Sequence, residues 1–362
     1  MKASDLIRRD IMSMDSYTPV VPFDVLVERL GRPVQEIVKL NANENPYGPS
    51  PKVRETIAGL PFPHIYPDPE SRALRFALSG FTGVPTENLL AGAGADELID
   101  LVMRLFLLPG DLVLNSPPTF GMYVFDAAIA GAQVLSAPRN PDMSLDLEHL
   151  ERTATAHMPK LLLVASPNNP DGGMLTDEGL VRLLRLPLVV VLDEAYVEFV
   201  GVDRSRIGWV PRYENLIVLR SFSKWAGLAG LRVGYGAFPC SILSDLWKIK
   251  QPYGVSQAAS AAAIAALDDL AWSQDRIGRI VRERERLMRL VREVPYLRPY
   301  PSCANFVLCQ VVGRDAGELC HLLESEAILI RHYRTPRLKD HVRISVGTPH
   351  QTDHLIGVLR RI

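Results

Sequence analysis

A chain of 362 residues exceeds the usual span of one compact core, so two domains are expected. Its 47% hydrophobic and 22% charged residues are those of an ordinary globular protein rather than a disordered or fibrous one. A formal net charge of −1, with no block of Lys or Arg, argues against a sequence-independent grip on nucleic acid or an anionic membrane and leaves a small molecule as the default partner.

The N-terminus, MKASDLIRRDIMSMD, interrupts every apolar stretch with charge, so no secretory core is expected there. Cys240, Cys303, Cys309 and Cys320 form no C-x-x-C pair, which removes the zinc-knuckle and redox-motif readings and makes a reducing cytoplasm the expected setting. Between about Lys52 and Leu267, short aliphatic runs alternate with amphipathic stretches, the pattern of strands covered on both faces by helices. Strands are predicted at Leu112–Asn115, Leu161–Ala165, Leu188–Leu192, Leu216–Arg220 and Val233–Ala237. From Asp96, DELIDLVMRLF sets Leu98, Ile99, Leu101, Val102 and Leu105 on one helical stripe, directly after Gly92-Ala93-Gly94. Beyond Asp275 the texture changes to a long charged helix, then strand-like segments at Phe306–Cys309 and Arg343–Val346. The longest purely aliphatic run, Leu188 to Leu192, is far too short to span a bilayer.

Chemistry-bearing residues sit where these strands end. Ser221-Phe222-Ser223-Lys224 follows the strand LIVLR, and Arg232 comes eight residues later in GLAGLRVGYG. Two hydroxyls, an amine and a guanidinium on a glycine-loosened loop suit a dianionic phosphate beside a nucleophilic amine; a lone lysine is otherwise usually just solvated. Asp193 closes the run PLVVVLDEAY, so its carboxylate emerges at the C-terminal end of a buried strand, either to pair with a protonated ring nitrogen or as an ion-paired or capping residue. Ser166-Pro167-Asn168-Asn169-Pro170 ends the strand LLLVA, where Asn169, like the phenol of Tyr196, can bind a ring hydroxyl, or where Asn-Pro simply makes a turn. Gly94-Ala95-Asp96 offers helix-start N–H groups to a phosphate. An amine, a phosphate site, an acid and hydroxyl partners are the set of groups that pyridoxal 5′-phosphate requires.

Other chemistries lack their residues. An aliphatic run ending in Asp-Glu also fits a nucleotide hydrolase, but the chain has no Gly-Lys pair for a phosphate loop. GAGADE carries Glu97 where a dinucleotide fingerprint needs its third glycine. His350 and His354 share a helical face, yet Gln351 stands where a zinc protease has glutamate, and no G-x-S-x-G elbow exists for a serine hydrolase.

In order and spacing, KLNANENPYGPSP (from Lys39), YPDP (from Tyr66), GAGADELI (from Gly92), PPTFGMY (from Pro117), SPNNPDG (from Ser166), VLDEAY (from Val191), SFSKWAGLAGLRVGYG (from Ser221) and VRISVG (from Val342) resemble the histidinol-phosphate aminotransferases. The similarity runs over nearly the whole length. It implies an α/β chain of the aspartate-aminotransferase-like, pyridoxal-phosphate-dependent transferase fold: an N-terminal arm and part of the small domain in residues 1–45, a large cofactor domain with a mostly parallel central sheet in 46–267, and a smaller α+β domain in 268–362. It further implies that Lys224 holds the cofactor as an imine and shuttles protons, that Asp193 pairs with the ring nitrogen, and that Tyr196 and Asn169 bind the ring hydroxyl. Ala95, Asp96, Ser221, Ser223 and Arg232 match phosphate-binding positions, and Phe120 matches the aromatic on the ring face. Tyr66 matches a tyrosine reaching the neighbouring subunit's cofactor, which implies a homodimer with shared sites. Arg331, Arg343, Asn43 and Tyr17 fall to the substrate; Tyr17 is assigned because Pro22-Phe23 stands where relatives have Pro-Tyr. Asp171 replaces a threonine common in relatives. The implied reaction exchanges an amino group between L-histidinol phosphate and 2-oxoglutarate. An aromatic aminotransferase or a phosphothreonine decarboxylase would use the same lysine and aspartate, whereas a ligand-sensing transcription regulator would need a DNA-binding module that the forty residues before Asn41 do not supply.

Overall fold

The computed structural model describes residues 1–12, 14 and 19–362; Tyr17 lies outside the described residues. Among the described residues, twelve strands fall into two sheets. In chain order they are β1 (Val38–Leu40), β2 (Leu89–Gly92), β3 (Leu112–Asn115), β4 (Gln133–Ser136), β5 (Leu161–Ala165), β6 (Val189–Asp193), β7 (Leu216–Ser221), β8 (Gly234–Ala237), β9 (Leu297–Pro299), β10 (Phe306–Val311), β11 (Ile328–His332) and β12 (His341–Ser345).

The large sheet has the order β2-β8-β7-β6-β5-β3-β4. Strands β3 to β7 pair in parallel, while β8 runs antiparallel to both β7 and β2. Every residue of β5 and β7 is buried, as expected of aliphatic strands sandwiched between helices. The pairing register places Ala165 opposite Asp193 and Asp193 opposite Leu219. Three strands therefore end level, and the loops carrying Asn169, Tyr196 and Lys224 leave the sheet along one edge, where open α/β sheets bind ligands. Because β2 ends at that same edge, the turn Gly92–Gly94 and the helix Ala95–Phe106 begin there as well. Val102, Met103 and Leu101 line the buried face of this helix with Leu98 and Ile99, whereas Leu105 is only half-buried.

The small sheet has the order β1-β11-β12-β10-β9. Its first strand comes from the N-terminal segment and pairs in parallel with β11, so residues 38–40 carry the chain across the molecule before the large sheet begins. The charged helix spans Leu270–Arg292, starting earlier than the charge pattern suggests because the apolar Leu270-Ala271-Trp272 opens it. It buries Ile280, Arg284, Leu287, Met288 and Val291, a single helical stripe. Boundaries elsewhere shift by one or two residues, with Asp193 and Ser221 inside their strands, Leu188, Val233 and Val346 outside, β10 running on to Val311 and β12 starting at His341. Among the described residues, no helix is long and apolar enough to cross a membrane.

Directly behind the site edge lies a buried ion pair. Arg220, 2% exposed, donates to Glu198 at 2.7 Å and lies over the rings of Phe81 and Tyr235. Strand alternation puts Arg220 on the face opposite its neighbour Ser221, so the pair braces the strand that carries the site. Removing one partner leaves an uncompensated charge in the core. Glu198→Ala is expected to destabilise the fold by about 3–5 kcal/mol, measured as a lowered midpoint of denaturant unfolding; an unchanged midpoint would show that Arg220 is compensated elsewhere.

Candidate active site

A cavity of about 710 Å³ opens on the strand-end edge between the two sheets. Its wall includes Lys224, Arg232, Arg331, Arg337 and Arg343 against only Asp96 and Asp193. Five cationic side chains facing two carboxylates make it a site for anions.

Lys224 stands at its centre. Its ammonium reaches the carbonyl of Ala42 at 3.4 Å and lies 6.0 Å from the ring of Tyr196. Burial and the nearby Arg343 guanidinium lower its pKa to about 8. An amine so poised is partly neutral near physiological pH, as a nucleophile or proton carrier must be.

Asp193, the last residue of β6, is 7% exposed. One carboxylate oxygen accepts the phenol O–H of Tyr123 at 2.7 Å, and the other accepts the N–H of Ala195 at 3.0 Å. Burial pushes the carboxyl pKa up, while these two donors pull it back. The Tyr123 ring also meets Phe120 edge-on at 5.6 Å, so one tyrosine supports both the acid and the aromatic wall.

Tyr196 and Asn43 form a chain that crosses between the sheets. Asn43 donates from its amide to the Tyr196 oxygen at 3.0 Å. The Asn43 backbone N–H donates to Ser345 Oγ at 2.8 Å, and that hydroxyl donates back to Asn43 Oδ1 at 2.9 Å. Asn305 adds a bond to the Asn43 carbonyl at 2.9 Å. This clasp holds Asn43 at a φ of 55°, a conformation asparagine tolerates better than most residues.

The arginines divide into two groups. Arg232 pairs with Asp96 at 2.5 Å over the start of the helix Ala95–Phe106, whose first turn has no side-chain cap. The backbone is drawn tightly around this corner. A Cβ on Gly94 would lie 2.5 Å from the Arg232 guanidinium, and one on Gly234 would lie 2.5 Å from the Ala95 nitrogen. Ser221 and Ser223 are buried beside it, the Ser223 N–H donating to the Ser221 hydroxyl at 3.1 Å. The second group is Arg331 and Arg343, which sit directly opposite each other on the antiparallel strands β11 and β12. Arg343 donates to Asn169 Oδ1 at 2.5 Å and to the Asn41 carbonyl at 2.9 Å, while its buried Nε has no partner. Buried Asn41 Oδ1 is likewise unpartnered. These spare groups fit a polar ligand carrying an anion, and the corner at Gly94, Ser221, Ser223 and Arg232 fits a phosphate.

All the strand-end candidates thus come together: Ala95, Asp96, Phe120, Asn169, Asp193, Tyr196, Ser221, Ser223, Lys224 and Arg232 line the cavity, as do Asn43, Arg331 and Arg343. Tyr66 does not line it. It is 77% exposed and stacks on Tyr253 at 4.6 Å. Asp171 is also outside the cavity wall; it is buried within its own loop, bonded to the Asn168 amide and to the Gly173 N–H at 2.7 Å. In the absence of threonine at this position, its role is to close the turn. Tyr123 and the segment Tyr333–Leu338 are site elements that sequence patterns did not single out, because Tyr123 lies in the helix Met122–Ile129 with no local polar motif and the segment joins two short strands.

The model of the family "aminotransferase class I and II" matches residues 35–359. A chloroplastic histidinol-phosphate aminotransferase of Nicotiana plumbaginifolia is 54% identical over 355 residues, 98% of this chain and 86% of the relative. A histidinol-phosphate aminotransferase of Roseiflexus castenholzii is 48% identical over 365 residues, covering 99% and 98% of the two chains. The crystal structure of the histidinol-phosphate aminotransferase of Sinorhizobium meliloti in complex with pyridoxal-5′-phosphate superimposes with a TM-score of 0.88 at 31% identity, over 98% of each chain.

The electrostatics at Lys224 are open to direct measurement. In the cofactor-free protein, imine formation with a small aromatic aldehyde is expected to rise with pH through about 8, followed by borohydride trapping and peptide mapping. Because the Arg343 charge disfavours the ammonium, Arg343→Met should move that inflection upward; an inflection that stays in place would mean that burial alone sets it.

Proposed function

The chain belongs to the class I and II aminotransferases, and on that basis we propose that it transfers the amino group of L-histidinol phosphate to 2-oxoglutarate, giving imidazole acetol phosphate and L-glutamate in histidine biosynthesis. The observation that carries this reading is the opposed pair Arg331 and Arg343 in a cavity that also holds a separate phosphate corner. One anion site suits a cofactor phosphate; the other suits the phosphate of one substrate and the carboxylates of the next.

Pyridoxal 5′-phosphate would be held at its phosphate by Ala95, Asp96, Ser221, Ser223 and Arg232, at its ring by Phe120, at its ring nitrogen by Asp193 and at its hydroxyl by Tyr196 and Asn169, all of which line the cavity. When bound it supplies an electron sink that lets the amine-bearing carbon of the substrate lose its proton. Lys224 would hold the cofactor through its amine and, once freed from it by the substrate, would take up that proton and return it. Asp193, which accepts from Tyr123 and Ala195, would pair with the protonated ring nitrogen. Arg331 and Arg343 orient the substrate's anionic end, with the ring of Tyr333, which also lines the cavity, 6.0 Å from each guanidinium. Asn43 fixes the Tyr196 phenol.

We further read the enzyme as a homodimer. Tyr66 stands with Phe62, Ile65 and Phe76 among exposed large apolar side chains, which are costly to leave in water and suit a contact with a second copy. Tyr66 then serves the neighbouring site. Mixing inactive Lys224→Ala and Tyr66→Ala chains should restore activity through hybrid dimers that hold one complete site.

Adding L-histidinol phosphate to the purified holoenzyme should replace the absorbance band of the lysine-bound cofactor with that of its amino form, and 2-oxoglutarate should reverse the change. An unchanged spectrum would sink the substrate assignment, and release of carbon dioxide when O-phosphothreonine, which unlike histidinol phosphate carries a carboxyl group, is supplied instead would reassign the chain to a decarboxylase. Lys224→Ala should abolish turnover, whereas borohydride fixation of the cofactor on another lysine would show that the attachment point is elsewhere.

A further inference from the structure

Between β11 and β12 the chain leaves the small sheet as a strap, residues 333–340, and returns to it. The strap's tip, Arg334-Thr335-Pro336, is exposed, but Leu338 is buried. Thr335, Pro336, Arg337 and Leu338 all face the cavity. Opposite them, beyond the end of β4, the large-sheet side presents a tight turn. Asn140 and Met143 are bonded through backbone at 2.9 Å, Asn140 and Ser144 also at 2.9 Å, and the buried Arg139 donates to the Met143 carbonyl at 3.0 Å.

Two contacts join strap and turn. The first is apolar: Met143, 4% exposed, packs with Leu338 and Leu308 and against Tyr300 and Tyr333. Met143 adopts this position at a φ of 70°, in the left-handed region that methionine rarely occupies, so the turn is shaped to project its side chain toward the strap. The second is polar. Arg337 donates from Nη1 to the Arg139 carbonyl at 2.5 Å and from Nη2 to the carbonyl of Asn140. A planar guanidinium spanning two consecutive carbonyls is a directional contact that fixes both segments in one relative position. Both partners are neutral, so the contact orients the strap without cancelling the cavity's positive charge.

We propose that Arg337 is a positioning residue that seats the strap Tyr333–Leu338 on the turn Arg139–Met143 and so forms the cavity wall against which the substrate's side chain is selected. This rests on the reading of the cavity as the aminotransferase substrate site. Without the fork, the strap keeps its own strands but loses its alignment over the cavity, and Tyr333, which lies beside Arg331 and Arg343, is no longer held in place. Substrate binding then suffers more than the chemistry at Lys224, which is carried by the large sheet and not by the strap.

The test compares the holoenzyme with Arg337→Met, which keeps the aliphatic stem and removes both donors, and Arg337→Lys, which keeps the charge but not the fork. In Arg337→Met the KM for L-histidinol phosphate is expected to rise about tenfold, with a smaller fall in kcat, the signature of lost binding rather than lost chemistry. Amide hydrogen exchange should accelerate in 333–340 and in 138–144 and stay unchanged elsewhere, and Arg337→Lys should fall between the two proteins on both readouts. A KM within twofold of wild type, or exchange that rises throughout the chain instead of in these two segments, would overturn the proposal. If Arg337→Met does not fold, the lysine variant alone decides it by the same criteria. If the wild-type enzyme does not act on histidinol phosphate, the substrate assignment fails while the exchange measurement still decides whether Arg337 seats the strap.

Discussion

A carboxylate at the end of a fully buried strand is unstable unless something compensates it, and much of the site is organised around meeting that demand at Asp193. Removal from water favours the protonated acid, and donors aimed at both of its oxygens work against that. Ala195 supplies one from the turn that follows β6, and Tyr123 supplies the other from a separate helix. Two fixed donors leave the carboxylate little rotational freedom, and a cation approaching from the cavity completes its shell. The same tyrosine buttresses Phe120, so the position of the acid and the position of the ring wall are set by one side chain.

A second organising element is the polar seam between the sheets. Buried amides and guanidiniums that meet across a gap are worth their desolvation only when nearly every donor finds an acceptor. Asn43, Ser345, Asn305 and Tyr196 meet that condition in one connected chain, and Arg343 extends the seam to Asn41 and Asn169. Residues 41–43 are therefore more than a connection between β1 and the large sheet. They contribute the acceptor beside Lys224, the donor to Tyr196 and the carbonyl under Arg343, three contacts from three successive residues.

What could be read from the sequence follows a physical division. Strands β3 and β5 to β7 were legible because burial on both faces requires uninterrupted aliphatic runs, and the residues at their ends were legible because parallel strands deliver ligands to their C-terminal edge. Lys224, Asp193 and Asn169 belong to that class. Strands β1, β2, β4, β9 and β11 were not picked out: β1 and β9 are only three residues long, and β4 is only partly buried, so period and composition carry little signal. Tyr123 carries no local sign of its role, because its partner is seventy residues away and its helix, Met122–Ile129, is mostly apolar. Arg337 carries no sequence signal, since its acceptors are backbone carbonyls that leave no trace in the sequence. The role of Asp171 could be seen only once the loop was built.

The arrangement of Arg331 and Arg343 shows how the site is kept ready for an anion. Like charges placed directly opposite on an antiparallel pair are destabilising, by about 0.2–1 kcal/mol, yet β11 and β12 hold them in that register. Part of the repulsion is relieved by neutral acceptors, Asn169 and the Asn41 carbonyl, which orient Arg343 without neutralising it. The unpartnered Arg343 Nε and the surplus of cations around the cavity remain. With Arg331 and Arg343 read as the substrate's anion site, a phosphate or carboxylate between the two guanidiniums would relieve that repulsion. A site built on charge and forked donors also accepts tetrahedral and planar anions alike, which an enzyme alternating between a phosphate-bearing amine and a dicarboxylic acceptor requires. Discrimination must then come from the neutral part of the cavity, and the strap that carries Tyr333, Thr335 and Leu338 is the wall placed to provide it.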